Sequence, residues 1–222
     1  MANKCKILII EPVTHDVKRL IIEKPKGYKF SPGQATEVSI NKKGLEDKKR
    51  PFTFTSLNSD LVLEFIIKSY PDHQGVTEKI HQLKPGDELF LGNPWGAINY
   101  QGPGVFIAGG AGITPFIAIF KDLFFKNKLK GNKLIFSNKT KNDIIYEQEL
   151  LTMFDKKDLT LTLTREKREN YLNERIDEKI LKREIKNFNQ PFYFCGPKQM
   201  VQGVAETLKK LGAKPNSLVF EK

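Results

Sequence analysis

The chain has 222 residues, 39% of them hydrophobic, which is enough apolar material for one large domain or two of ordinary size. Its apolar runs are all far shorter than a membrane-spanning helix, and its two cysteines, Cys5 and Cys195, cannot alone complete a zinc site or hold an iron–sulfur cluster. The net charge is +11, with 15 basic and 12 acidic residues through Gly102 and 22 against 14 from Pro103 onward, so the excess falls mainly in the second half.

The N-terminal run Ile7-Leu8-Ile9-Ile10 is too short for the hydrophobic region of a signal peptide, and no small-residue cleavage site follows, so a cytoplasmic protein is expected. Short runs rich in Ile, Val, Leu, Phe and Thr then predict strands at Cys5 to Glu11, Val17 to Glu23, Ala35 to Ile40, Phe52 to Thr55, Leu61 to Ile67 and Glu88 to Leu91. Turn residues such as Pro32-Gly33 and Pro85-Gly86-Asp87 separate them. Six short strands at this spacing imply an antiparallel six-stranded β-barrel, interrupted by one helical segment from Thr77 to about Leu83.

From Gly104 the rhythm changes to strands alternating with helices. Strands are predicted at Gly104 to Ala108, Lys133 to Ser137, Leu159 to Thr164, Phe192 to Cys195 and Ser217 to Phe220. Helices are predicted from Thr114 to about Asn127, near Tyr146 to Phe154, near Asp177 to Lys186, and from Pro197 to Leu211, closed by Gly212. This order implies an α/β, doubly wound, parallel five-stranded sheet. The fold class is thus two domains, 1–102 and 103–222, joined at Gln101-Gly102-Pro103-Gly104.

The segment Val105-Phe106-Ile107-Ala108-Gly109-Gly110-Ala111-Gly112-Ile113-Thr114-Pro115-Phe116 carries the most chemistry. An apolar strand enters a glycine-rich turn, and a helix opens with a proline near its start. Glycines let backbone approach a pyrophosphate closely, and free amides with the positive end of the helix dipole attract its charge. Pro115 suits a first helical turn, where its missing N–H would have no partner. His15, His73 and His81 lack metal-ligand spacing, and no metal is expected. The basic excess is read either as a solvated lysine surface, 31 of the 37 basic residues being Lys, or as attraction for phosphorylated cofactors or an acidic protein. No nucleic-acid recognition motif is present.

In order along the chain, Pro32-Gly33-Gln34, Arg50-Pro51-Phe52-Thr53, Gly75-Val76-Thr77, Pro85-Gly86-Asp87 with Gly92-Asn93-Pro94-Trp95-Gly96, the glycine run with Thr114-Pro115, and Cys195-Gly196-Pro197 with Met200 resemble the motifs of the ferredoxin–NADP reductase superfamily. The resemblance covers essentially the whole chain. It implies a flavin-binding barrel followed by an NAD(P)-binding domain, with FAD preferred over FMN and NADPH or NADH as co-substrate. It implies an NAD(P)H-dependent flavoprotein reductase that passes electrons to a small acidic carrier such as ferredoxin or flavodoxin. Two other readings stand beside it: a reductase of free flavin, and an electron-transfer subunit of a larger complex.

By the same resemblance Arg50 and Thr77 address flavin phosphates, Pro51 belongs to the flavin motif, and Thr53 bonds near flavin N5. Phe65, Ile66 and Ile67 present backbone groups to the flavin or its ribityl chain. Phe52 can pack on the flavin ring or fill the barrel core, and Thr77 can donate to phosphate or simply cap a helix. Gly110, Gly112 and Thr114 are expected at the nicotinamide nucleotide. Cys195, Gly196, Pro197 and Met200 are expected beside the nicotinamide, with Cys195 alternatively a buried strand cysteine. Thr53, Cys195 and Glu221 are the catalytic candidates. Thr164 and Arg165 would hold a 2′-phosphate, Tyr171 would stack on adenine, and Lys167 and Arg168 would add charge; the plain alternative is a basic loop. Where family members often end in an aromatic residue, this sequence has Phe220-Glu221-Lys222. Without the length or cysteines for an attached redox module, the expected electron acceptor is a separate protein.

Overall fold

The computed structural model describes residues 3–70, 75–96 and 98–220, and contacts divide the chain into two compact units. One comprises Met1–Gly96 with Thr114–Ile119, and the other Ala97–Ile113 with Phe120–Lys222. His73, Glu221 and Lys222 lie outside the described residues.

The first unit contains β1 (Asn3–Thr14), β2 (Val17–Glu23), β3 (Ala35–Ile40), β4 (Arg50–Thr53), β5 (Val62–Lys68), α1 (Val76–His81) and β6 (Glu88–Leu91). Its six strands run antiparallel in the order β4-β3-β6-β1-β2-β5. The outer strands meet beyond β4, where Phe54 bridges Phe65 and Thr55 N–H donates to Glu64 carbonyl at 2.9 Å, closing the barrel. Alternate residues turn inward, as in Cys5 and Ile7, Leu63, Phe65 and Ile67, or Leu89 and Leu91. Phe30, Phe54 and Phe65 stack through the centre, with ring centroids 4.1 and 5.2 Å apart. Val76 and Ile80 carry α1 onto this same core.

β1 is longer than its sequence signal, because the strand continues past Glu11 through Pro12. It also carries an extra residue: Ile7 pairs with Ile22 and Ile9 with Ile21, leaving Leu8 in a bulge. Leu8 and Ile9 are both exposed.

The second unit alternates as the sequence predicts. β7 (Val105–Gly109) leads through a 3-10 turn at Gly110–Ile113 into α2 (Thr114–Phe125), whose chain is shared between the units. β8 (Lys133–Asn138), α3 (Glu147–Met153), β9 (Leu159–Leu163), α4 (Glu178–Glu184), β10 (Phe192–Cys195), α5 (Lys198–Lys210) and β11 (Leu218–Val219) follow. All strand pairs are parallel, in the order β11-β10-β7-β8-β9. β7 is central and wholly buried, as expected of a strand covered on both faces. Ile107, Ile135 and Phe194 face α4 and α5. On the other face Phe106 packs on Tyr193 and Phe120, and Phe120 on Phe154. Tyr193 accepts from Gln101 N–H at 2.7 Å and donates to Gly102 carbonyl at 2.9 Å, pinning the segment that enters β7. Burial there pushes its hydroxyl up to about 12.

The antiparallel six-stranded barrel and the parallel five-stranded sheet are as expected. The sequence placed Ser217 in the last strand, but a 3-10 turn at Pro215–Ser217 uses that residue first. The glycine turn before α2 is where the sequence placed it, and its 3-10 winding was not anticipated.

Candidate functional site

In the second unit the strand order reverses direction between β7 and β10, and the carboxyl ends of these neighbours form a switch point of the kind that holds ligands in open α/β sheets. The sequence-predicted residues Gly110, Gly112, Cys195, Gly196, Pro197 and Met200 come together there. Close approach explains Gly109, Gly112 and Gly196, whereas Gly110 has open space around it and a φ of +52°. A Cβ on Gly112 would overlap the Cys195 carbonyl and lie 2.6 Å from Gly196 Cα. A Cβ on Gly109 would lie 2.6 Å from Met200 Sδ and 3.0 Å from Pro197 Cδ. Gly196 has φ +156°, and a side chain there would meet Met200 Cε at 2.6 Å. Two turns thus interlock without side chains between them, at the carboxyl ends of the strands where open α/β sheets hold their ligands. Thr114 begins α2 with Pro115 in the first turn, and no side chain caps that end. Cys195 is half-buried and belongs to no disulfide among the described residues.

A second part of this sheet edge joins β8 to β9. Thr164 N–H donates to Asn138 carbonyl and Arg165 N–H to Lys139 carbonyl, each at 2.9 Å. Arg165 is exposed, whereas Tyr171 is half-buried with its hydroxyl bonded to Glu147. Burial and that carboxylate push Tyr171 up to about 12. Arg168 is drawn back onto Glu166 at 3.1 Å, and Glu166 also accepts from Lys141 N–H at 2.7 Å. Asn138 was not anticipated. Its side chain is buried, and neither its amide nitrogen nor its oxygen has a partner among the described residues. The only signal in the sequence was a polar residue at the carboxyl end of an apolar strand.

In the first unit Arg50, Pro51, Phe52 and Thr53 are β4 itself, paired with β3. Arg50 is exposed, and its guanidinium donates to Lys49 carbonyl at 2.7 Å. Phe52 is half-buried against the barrel core with Ile10 and Leu45, the packing weighed against a ring contact. Thr53 points to the other face of the strand, and its hydroxyl bonds no other described residue. Phe65 joins the seam to Phe54, and Phe65, Ile66 and Ile67 are all buried. His81 Nε2–H donates to Ile67 carbonyl at 2.7 Å, so that backbone group is committed to α1. Gly75 caps α1 with no side-chain bond to the first turn; Val76 is buried, and the Thr77 hydroxyl is without a partner among the described residues. A first turn with no side-chain cap, and a Thr77 hydroxyl and an Arg50 guanidinium with no side-chain partner among the described residues, fit a phosphorylated flavin. The third catalytic candidate, Glu221, lies outside the described residues.

The sequence comparisons divide the chain as the two sheets do. Residues 2–89 match the model of an FAD-binding domain family, and residues 106–206 that of the oxidoreductase NAD-binding domain family. The chain thus joins an FAD-binding domain to an oxidoreductase NAD-binding domain. It is 30% identical over 218 residues to an NADH-cytochrome b5 reductase 2 of Mycosarcoma maydis, a match that covers 88% of this chain and 62% of the relative. It is 26% identical over 240 residues to the reductase component of a propane 2-monooxygenase from Rhodococcus jostii, covering 99% of this chain and 63% of the relative. The chain therefore spans under two thirds of the length of both. Its fold matches a crystal structure of a ferredoxin NADP+ reductase from Neisseria gonorrhoeae with bound FAD and NADP, with a TM-score of 0.83 at 21% identity over 99% of this chain and 98% of that one. Among the described residues, no helix is long and apolar enough to cross a membrane.

Proposed function

We propose that this protein is an NAD(P)H-dependent flavoprotein reductase in which residues 1–102 hold FAD, residues 103–222 bind the nicotinamide nucleotide, and electrons leave to a separate protein. The observation that carries the reading is the interlocked pair of glycine turns at the ends of β7 and β10. FAD, when bound, accepts a hydride from NAD(P)H and can release its electrons one at a time, which is chemistry no side chain here supplies.

The residues supply binding and orientation. Arg50 gives a permanent, planar charge for a phosphate, and Thr77 a hydroxyl at the start of α1. Thr53 offers a hydrogen bond at flavin N5. Gly110, Gly112 and Thr114 admit the nucleotide pyrophosphate to bare backbone. Cys195, Gly196, Pro197 and Met200 bound the nicotinamide, with Cys195 beside the reacting carbon. Glu221 would position nicotinamide or relay a proton. An acidic carrier such as ferredoxin or flavodoxin suits the +11 charge.

Gel filtration of FAD-loaded protein, followed by steady-state assays with protein acceptors and with free flavin, tests this reading. One FAD retained per chain, with turnover of a carrier, is expected. Complete loss of FAD with turnover of added free flavin would assign the protein to the flavin reductases instead.

A further inference from the structure

The apolar face of α2 outruns the core it packs on. Phe116, Ile119, Phe120 and Leu123 are buried at three-four spacing. Phe124 continues that row from Phe120 but is 40% exposed, and Phe125, one residue round the helix, is 72% exposed. The two rings meet edge to face with centroids 6.1 Å apart. Phe124 lines a cavity of about 320 Å³ with Leu129, Met153 and Phe154, and Lys130 and Lys157 line it too. These residues belong to the ends of α2 and α3 and to the loops that lead from them into the amino ends of the paired strands β8 and β9. Residues 121–133 and 153–158 together hold seven lysines against three aspartates. Lys126 is paired with Asp122 at 2.7 Å, and Lys133 with Glu184 at 3.1 Å. Lys128, Lys130, Lys156 and Lys157 are exposed and take part in no ion pair among the described residues. Two adjoining exposed aromatic rings rimmed by unpaired cations are not a scatter of single surface residues, and such a patch marks an interaction surface.

We propose that this surface docks the protein on an anionic phospholipid bilayer, with Phe124 and Phe125 entering the headgroup boundary and Lys128, Lys130, Lys156 and Lys157 facing the lipid anions. The rings supply apolar area, and each lysine adds attraction to the negative surface. The cations are all lysine, a compact charge on a flexible stem, which suits a fluid array of headgroups better than one fixed carboxylate. An acidic protein surface would use the same lysines but would not need Phe125 to leave water. The carboxyl ends of β7 and β10, where the nucleotide is proposed to bind, lie at the opposite edge of this parallel sheet, so docking leaves them open. The lysines around Phe125 are adjacent in sequence, but only the pairing of β8 with β9 brings the second loop beside them.

The test is co-sedimentation of the FAD-loaded full chain with vesicles of phosphatidylcholine, either pure or with about 30% phosphatidylserine, at about 0.1 M salt. Wild-type protein is expected to partition onto the anionic vesicles and to stay in solution with the neutral ones. Lys128→Gln with Lys130→Gln should weaken partitioning about tenfold or more, and Phe125→Ser about tenfold. Phe125 is mostly in water already, so its variant should keep the wild-type melting temperature. Lys182→Gln with Lys210→Gln removes the same charge from the Glu178 pairs on α4 and α5, and should change partitioning by less than about twofold. Wild-type protein that ignores anionic vesicles overturns the proposal, and so does an equal loss in the α4–α5 double variant, which would mean diffuse charge. Loss in the Lys128, Lys130 variant with none in Phe125→Ser also overturns it, and would assign the lysines to an acidic protein surface instead.

Discussion

At residue scale, identity is most constrained where two backbones approach. Gly112 meets the carbonyl of Cys195 and Cα of Gly196, and neither can swing aside as a side chain would. Gly112→Ala should therefore cost about 1–3 kcal/mol or more through forced displacement of the turn. The expected result is a lower melting temperature and lost NADPH and NADH binding, with FAD absorbance retained because the residues proposed to hold the flavin lie in the other unit. Unchanged nucleotide affinity would show that the turn is structural only. Asn138 presents the opposite case, a buried side-chain amide with no hydrogen-bond partner among the described residues. A buried unpaired polar group costs about 1–3 kcal/mol, and an apolar group of the same shape removes that cost. Asn138→Leu should leave the nucleotide-free protein as stable as wild type or more so. A destabilised variant would show that the amide is already satisfied in the free protein.

At element scale, α1 is fastened to the barrel by polar bonds as well as apolar packing. Lys18 Nζ donates to His81 carbonyl at 2.8 Å, while the His81 ring donates to Ile67 carbonyl. Burial holds the His81 pKa below its ordinary 6.5, and Lys18 adds to this, against opposing contributions from the Ile67 carbonyl and Asp16. The folded state therefore resists protonation that the unfolded chain accepts. Stability conferred by neutral His81 is present above pH 6.5 and falls as pH drops below it, levelling off beneath the folded pKa. Denaturant melts at pH 7.5 and 5.0 should show part of this decline removed by His81→Gln, which keeps a donor without the titration. Identical declines in both proteins would exclude His81 as a source. The sequence could not show this tie, since His81 and Ile67 are 14 residues apart and a histidine on a short helix has no partner signal. The elements themselves were legible. Short runs rich in Ile, Val, Leu, Phe and Thr between turn residues marked β2, β3 and β6 to the residue, and β10 was equally well bounded. The β1 bulge and the 3-10 turn at Gly110–Ile113 were hidden, because each is a local adjustment set by pairing and packing partners distant in sequence.

At the scale of the whole molecule, two halves with different hydrophobic periods fold into two different sheets, and the charge differs between them as well. Of the candidate site, the glycine turn was marked by its own residues, and the cysteine turn was singled out only by its resemblance to a family motif. That they interlock depended on the strand order β10-β7, which no local pattern encodes. With a net charge of +11, association with an acidic carrier should be steered electrostatically. Raising ionic strength from about 0.05 to 0.5 M should lower kcat/KM for an acidic carrier by about tenfold or more and leave that for uncharged menadione nearly constant, as screening lengths shorten. Parallel salt dependence for both acceptors would contradict steering. The most direct test of the central claim is anaerobic titration of the FAD-loaded protein with NADPH and with NADH, followed by visible absorbance. The account predicts a yellow protein with about one FAD per chain whose flavin band bleaches with one equivalent of nucleotide. A folded protein that takes up no FAD, or one whose bound FAD neither nucleotide reduces, would contradict it.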